Sequence, residues 1–102
     1  MINTARTVRL VDLGIPYTSL RRLQELGEIT NLKFLTIHDT EIFELEGVEK
    51  YLFLERLDIS NTAVKDFSLL NELAYFKTLI ISEDMEQYLY TLSRDDIEIV
   101  IK

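Results

Sequence analysis

The sequence predicts an α/β fold: a short solenoid of four stacked units, each with a short strand, a turn and a helical or 3-10 return. Three observations predict it. The chain resembles itself at a fixed step of 22 residues, apolar columns run through every recurrence, and one polar column interrupts them where the chain has to turn. Self-similarity at a period of this length is the signature of stacked supersecondary units that cannot bury an apolar face alone.

The recurrence is read directly. Leu32 to Ile42 aligns with Leu54 to Val64, and the same step lands on Leu10 to Leu20 and on Phe76 to Glu86. Four units therefore tile residues 10–97 without a gap. Column one holds Leu10, Leu32, Leu54 and Phe76; column four holds Leu13, Leu35, Leu57 and Leu79; column six holds Ile15, Ile37, Ile59 and Ile81. Columns eleven, fourteen, seventeen and twenty are apolar in the same way. Across these seven columns only Glu86 and Asp95, both in the last unit, are not apolar. In a chain that is 47% apolar, chance would fill about half of such positions.

Each element follows from the columns. The Leu-x-Ile triplets at 13–15, 35–37, 57–59 and 79–81 read as short strands. Column nine, with Thr18, Thr40, Thr62 and Asp84, marks the bend after each strand, where a short hydroxyl or carboxylate bonds stranded backbone groups. Spacings of three, as in Leu45, Val48, Tyr51 and Phe67, Leu70, Leu73, fit a helical or 3-10 return. This pattern resembles the leucine-rich repeat family, most closely its 22-residue internalin-like class. The resemblance implies strands stacked in parallel on one side, helical returns on the other, and a surface used to bind other proteins.

The ends need sealing. Residues 97–101 read as a fifth strand, with Ile101 expected in column four, and residues 98–102 as a capping strand. Met85 to Leu92 reads as a slightly displaced helix, with Glu83 and Asp84 favouring its N-terminus. Residues 1–9 form the expected N-terminal cap, with Met1, Ile2, Ala5 and Val8 as its apolar material. The whole chain, 1–102, is expected to be one domain.

Composition narrows the function. The net charge is −7 and acids outnumber bases 18 to 11. That balance disfavours nucleic acid, whose binders carry a basic stripe. No run approaches the ~18 apolar residues of a membrane span, so no membrane partner is expected. The sequence has no Cys, which excludes disulfides and zinc–thiolate sites. Arg6 and Arg9 are not followed by an apolar stretch, so a secretory signal is not expected and the cytoplasm is the expected compartment.

No catalytic, cofactor or metal residues are expected. His38, the only His, stands beside Asp39, but neighbours on a strand point to opposite sides, so the two are not expected to cooperate. Ser60 is the only nearby hydroxyl that could serve as nucleophile. Glu41, Glu44, Glu46 and Glu49 fall between apolar columns and read as a solvated face. Gly14, Gly27 and Gly47 are scattered and build no phosphate loop.

A binding face is expected instead. Columns three, five, seven and eight point outward from the stacked strands, and aromatic and Arg side chains there are typical anchors of protein interfaces. The candidate contact residues are Tyr17, Phe34, Thr36, His38, Arg56, Asp58, Ile80 and Val100. Five strands at ~4.8 Å spacing and about 17 Å of length give only about 320 Å², against ~800 Å² per partner in a standard interface. A protein partner must therefore also touch the turns or ends. Phe43, Phe53, Leu69, Tyr75, Tyr88 and Tyr90 lie outside the core columns and supply a second apolar set on the convex side. The expected function is a protein-binding module acting by occupancy, as an inhibitor, adaptor or immunity-type protein. A self-associating structural unit is the alternative, an enzyme is not expected, and a monomer is preferred to a homodimer.

Overall fold

Among the described residues, seven short strands and four 3-10 helices follow one another along the chain. The strands are β1 (Thr7–Arg9), β2 (Asp12–Gly14), β3 (Glu28–Thr30), β4 (Phe34–Thr36), β5 (Arg56–Asp58), β6 (Thr78–Ile81) and β7 (Glu98–Ile101). The 3-10 helices are η1 (Leu23–Leu26), η2 (Val48–Lys50), η3 (Ser68–Glu72) and η4 (Glu83–Thr91). The computed structural model describes residues 7–9 and 11–102. The expected cap residues Met1, Ile2 and Ala5, and Leu10 of column one, lie outside the described residues.

Five strands form one parallel sheet in the order β2-β4-β5-β6-β7. Leu13 pairs with Leu35, Leu35 with Leu57, and Leu57 with Leu79, so the step of 22 residues is the register of the sheet. Inward side chains of these strands meet the returning 3-10 segments in one continuous core. Leu35, Ile37, Leu57, Ile59, Leu79 and Ile81 are buried there with Leu45, Val48, Phe67 and Leu70. Leu13 and Ile15 are only partly buried, as expected of the first layer of the five-stranded sheet.

The three threonines of the polar column perform the expected task, whereas Asp84, its fourth member, lies inside η4. Thr18 Oγ1 donates to the Ile15 carbonyl at 3.0 Å, Thr40 Oγ1 to Ile37 at 2.9 Å and Thr62 Oγ1 to Ile59 at 2.8 Å. The residue before each Thr sits in the left-handed region: Tyr17 at φ 61°, Asp39 at 56° and Asn61 at 58°. Asp and Asn tolerate that conformation because their short side chains bond locally; an aromatic residue does so only under strain.

Two expectations require correction. The last strand is in register at a step of 20, because Leu79 pairs with Ile99 and Ile81 with Ile101. Ile101 therefore does not stand in column four. Met85, 1% exposed, enters the core one residue ahead of column eleven, so the polar Glu86 is no gap in that column. The chain gains this slip by entering η4 directly after Ser82, whose carbonyl accepts the Met85 N–H at 2.9 Å. Secondly, β1 and β3 form a separate two-stranded parallel sheet, which the repeat pattern does not predict. Among the described residues, no helix is long and apolar enough to cross a membrane.

Candidate functional site

The outward face of the five-stranded sheet divides into an open half and a closed half. Its middle row runs Gly14, Thr36, Asp58, Ile80 and Val100 across the five strands. Phe34 and Arg56 flank this row on one side; His38 and Ser60 flank it on the other.

The open half lies over β2, β4 and the start of β5. Tyr17 is 75% exposed and meets the His38 ring edge-on, with centroids 5.1 Å apart. Phe34, Thr36 and His38 are half-buried, and Arg56 is exposed. Gly14 adds no side chain, and a Cβ there would meet only the Thr36 Cβ at 3.8 Å, so the floor of this half is low.

A polar network closes one side of that half. His38 Nδ1 donates to Asp39 Oδ2 at 2.7 Å, and Asn61 Nδ2 donates to Asp39 Oδ1 at 2.6 Å. The Asn61 amide, and then the His38 ring, hold the Asp39 carboxyl below the usual carboxylate range. This corrects the expectation that His38 and Asp39 point apart. Strand alternation ends at His38, and the left-handed backbone of Asp39 swings its carboxylate back toward the ring. Ser60 takes no part in that pair, since its hydroxyl donates to Asp58 Oδ1 at 2.8 Å.

The closed half lies over β5, β6 and β7. Asp58 and Ile80, both expected as contact residues, are each only 5% exposed. Lys102 reaches over this half from its edge. Its backbone N–H donates to the Ile81 carbonyl, and its ammonium reaches across β6 to Asp58 Oδ2 at 2.7 Å. Ile80 lies between Asp58 and Val100 beneath that crossing, and Val100 itself is half-buried. Burial pushes the Asp58 carboxyl up, but the Lys102 ammonium and two bonds from Ser60 outweigh it and leave the group below its ordinary range.

Of the eight candidate contact residues, the fold thus brings Tyr17, Phe34, Thr36, His38 and Arg56 to an accessible face, leaves Val100 at its margin, and covers Asp58 and Ile80. The sequence reading did not link Lys102 to Asp58, which stand 44 residues apart. The slip of two residues keeps Lys102 on this outward face and sets it in the column of His38 and Ser60. Away from that face, the Phe53 and Tyr75 rings meet at a tilt with centroids 5.7 Å apart beside an exposed Leu52, while Leu69 and Tyr88 pack onto the core. Glu44 pairs with Arg22 at 3.6 Å, and no group of three His, Asp or Glu able to hold a metal occurs among the described residues. Comparison with family models, with curated proteins and with solved structures finds no match to this chain.

Proposed function

We propose that this chain is a protein-binding module of the leucine-rich-repeat type, a short solenoid that acts by occupying the surface of a partner without performing chemistry on it. The observation that carries this reading is Tyr17. The aligned turn positions hold Asp39 and Asn61, which suit a left-handed backbone, yet the first holds an aromatic ring at φ 61° and 75% exposure. A bulky residue held in that region stores strain, and such strain clusters at binding sites. Tyr17 meets His38, and Phe34 and Arg56 lie across the middle row on the same face, where aromatic and Arg side chains are typical interface anchors. The in-register parallel pairing of Leu13, Leu35, Leu57 and Leu79 supports the solenoid reading.

The test uses the immobilised chain against lysate of its source cell. A partner retained by the wild type should be lost by a Tyr17→Ala, Phe34→Ala, Arg56→Glu variant whose circular dichroism is unchanged. Equal retention by the variant would remove the concave face from the account.

A second reading rests on β7. It is the last strand of its sheet, with Ile101 38% exposed, and an open edge recruits another strand. Asp95, Asp96 and Glu98 put negative charge at that edge, which favours the monomer. Sedimentation of wild type and Val100→Pro separates the cases: a dimer abolished by the proline supports self-association.

A further inference from the structure

We propose that the notch formed by Asp58 and Ser60 is a receptor for one lysine side chain of a protein partner, and that Lys102 occupies it as a built-in competitor. That the occupant belongs to a protein rests on the concave-face reading above. The chemistry rests on the notch itself.

Asp58 ends the middle strand of the sheet, at the centre of the face. Its side chain is 7% exposed. A buried carboxylate is costly unless a cation meets it, so the notch is built around a positive charge. The ammonium of Lys102 shows which cation fits, at 2.7 Å from Oδ2. The two sides of this contact differ in rigidity. Asp58 Oδ1 is fixed by the Ser60 N–H at 3.1 Å and the Ser60 hydroxyl at 2.8 Å. The Lys102 side chain is 50% exposed and hangs on a flexible stem from the edge of the sheet. One cation can therefore replace another while the receptor stays assembled.

The same geometry selects lysine over arginine. Ser60 occupies Oδ1 with two bonds, so only Oδ2 is offered. An ammonium needs one oxygen, whereas a guanidinium fork is best matched by two. His38, Asp39 and Asn61 bond one another on the neighbouring turns and leave the Asp58 carboxylate to its ligand. A partner lysine that displaces Lys102 would also uncover Ile80, adding apolar contact to the open half.

Chemical rescue tests this on the full chain. The Lys102→Ala variant is titrated with n-butylammonium chloride at low ionic strength, and the Ser60 amide resonance is followed by NMR. A saturable shift is expected. In the wild type the tethered ammonium competes for the same oxygen, so the saturable shift should be weakened or lost. Propylguanidinium should bind Lys102→Ala more weakly than butylammonium, and the Lys102→Ala, Asp58→Asn double variant should bind neither. Lys102→Gln, whose amide keeps the residue polar at that edge, serves as a second background should the alanine variant lose its dispersed spectrum. Absence of a saturable shift in a folded variant, an equal shift in the double variant, or tighter binding of the guanidinium would each overturn the proposal. None of these results bears on Tyr17, Phe34 and Arg56, so the concave-face reading stands or falls by its own experiment.

Discussion

The unit between Leu35 and Leu57 and the unit between Leu79 and Ile99 close the same kind of layer with different lengths of chain, 22 residues against 20. The interior unit bends at Asp39 and Thr40, then drops Ile42, Leu45, Val48 and Tyr51 into the core through one short 3-10 helix. The last unit omits the bend. It enters the nine-residue η4 from Ser82 and delivers Met85 to the core instead. Spacing in sequence is thus subordinate to placement of volume: a layer tolerates fewer residues provided that an apolar side chain reaches each core position.

The ends of the two units differ as well. The interior unit places the buried Tyr51 where its return meets the next strand. The last unit has no apolar residue there, and Arg94 takes over. Its guanidinium donates to the carbonyls of Leu70, Leu73 and Phe76, and Asp96 holds it in place at 2.9 Å. One side chain thereby adds a second donor to the Leu70 and Leu73 carbonyls, which also accept the Leu73 and Phe76 N–H, and binds the Phe76 carbonyl as well.

The largest effect that would break this comparison is at its interior. Leu57→Ala should cost ~2–5 kcal/mol in denaturant unfolding, since a fully buried side chain leaves a cavity in the middle layer. Ile101→Ala, on the half-open edge strand, should cost less than ~1 kcal/mol. Equal losses would mean that the last unit is packed like the interior.

A second pair of variants reads the slip directly. Met85→Ala should cost about 2–4 kcal/mol, and Glu86→Ala should lie within roughly 0.5 kcal/mol of the wild type. A large loss at Glu86 with a small one at Met85 would restore the uniform 22-residue step.

These pairs also mark what was legible in the sequence. The interior columns were, because Leu and Ile recur there at one spacing and burial follows. The slip was announced by Glu86 and Asp95 falling on core columns, but its size depends on where Ser82 turns the backbone into η4. The pairing of β1 with β3 had no signal, because those residues interrupt no column. The open half of the candidate site was legible from alternation along the strands. The closed half was not: the contact between Lys102 and Asp58 spans two strand spacings and is set by the conformation of a long side chain. Nor was the His38–Asp39 contact, which arises from a left-handed residue that strand alternation does not describe.

Arg94 offers the next test of the comparison. Arg94→Met keeps most of the stem but removes the charged donor from the carbonyls of Leu70, Leu73 and Phe76, the first two of which keep a backbone N–H, at a cost of about 1–3 kcal/mol. Asp96→Asn should cost less than ~1 kcal/mol, since that carboxylate is exposed. Should the two variants unfold at the same denaturant concentration, the guanidinium acts through its ion pair alone and the carbonyl contacts carry no weight.

The smallest effect is a dependence on pH at the contact between the interior and the last unit. Asp58 has a folded-state pKa below its ordinary value of 3.8, so its contribution to stability is full above that value and is lost as the pH falls through the lowered one. Asp58→Asn removes the charge that meets Lys102. The stability of wild type should therefore exceed that of Asp58→Asn at neutral pH, and the gap should narrow once the pH drops below about 3.8. Other carboxylates held low, such as Asp39 and Asp96, titrate in the same window but are common to both proteins and cancel in the difference. Lys102→Ala should shrink the gap at neutral pH, because the aspartate then has no cation to meet. A gap that stayed constant from neutral pH to pH 2, with or without Lys102, would show that the last unit is not held to the interior by this charge pair.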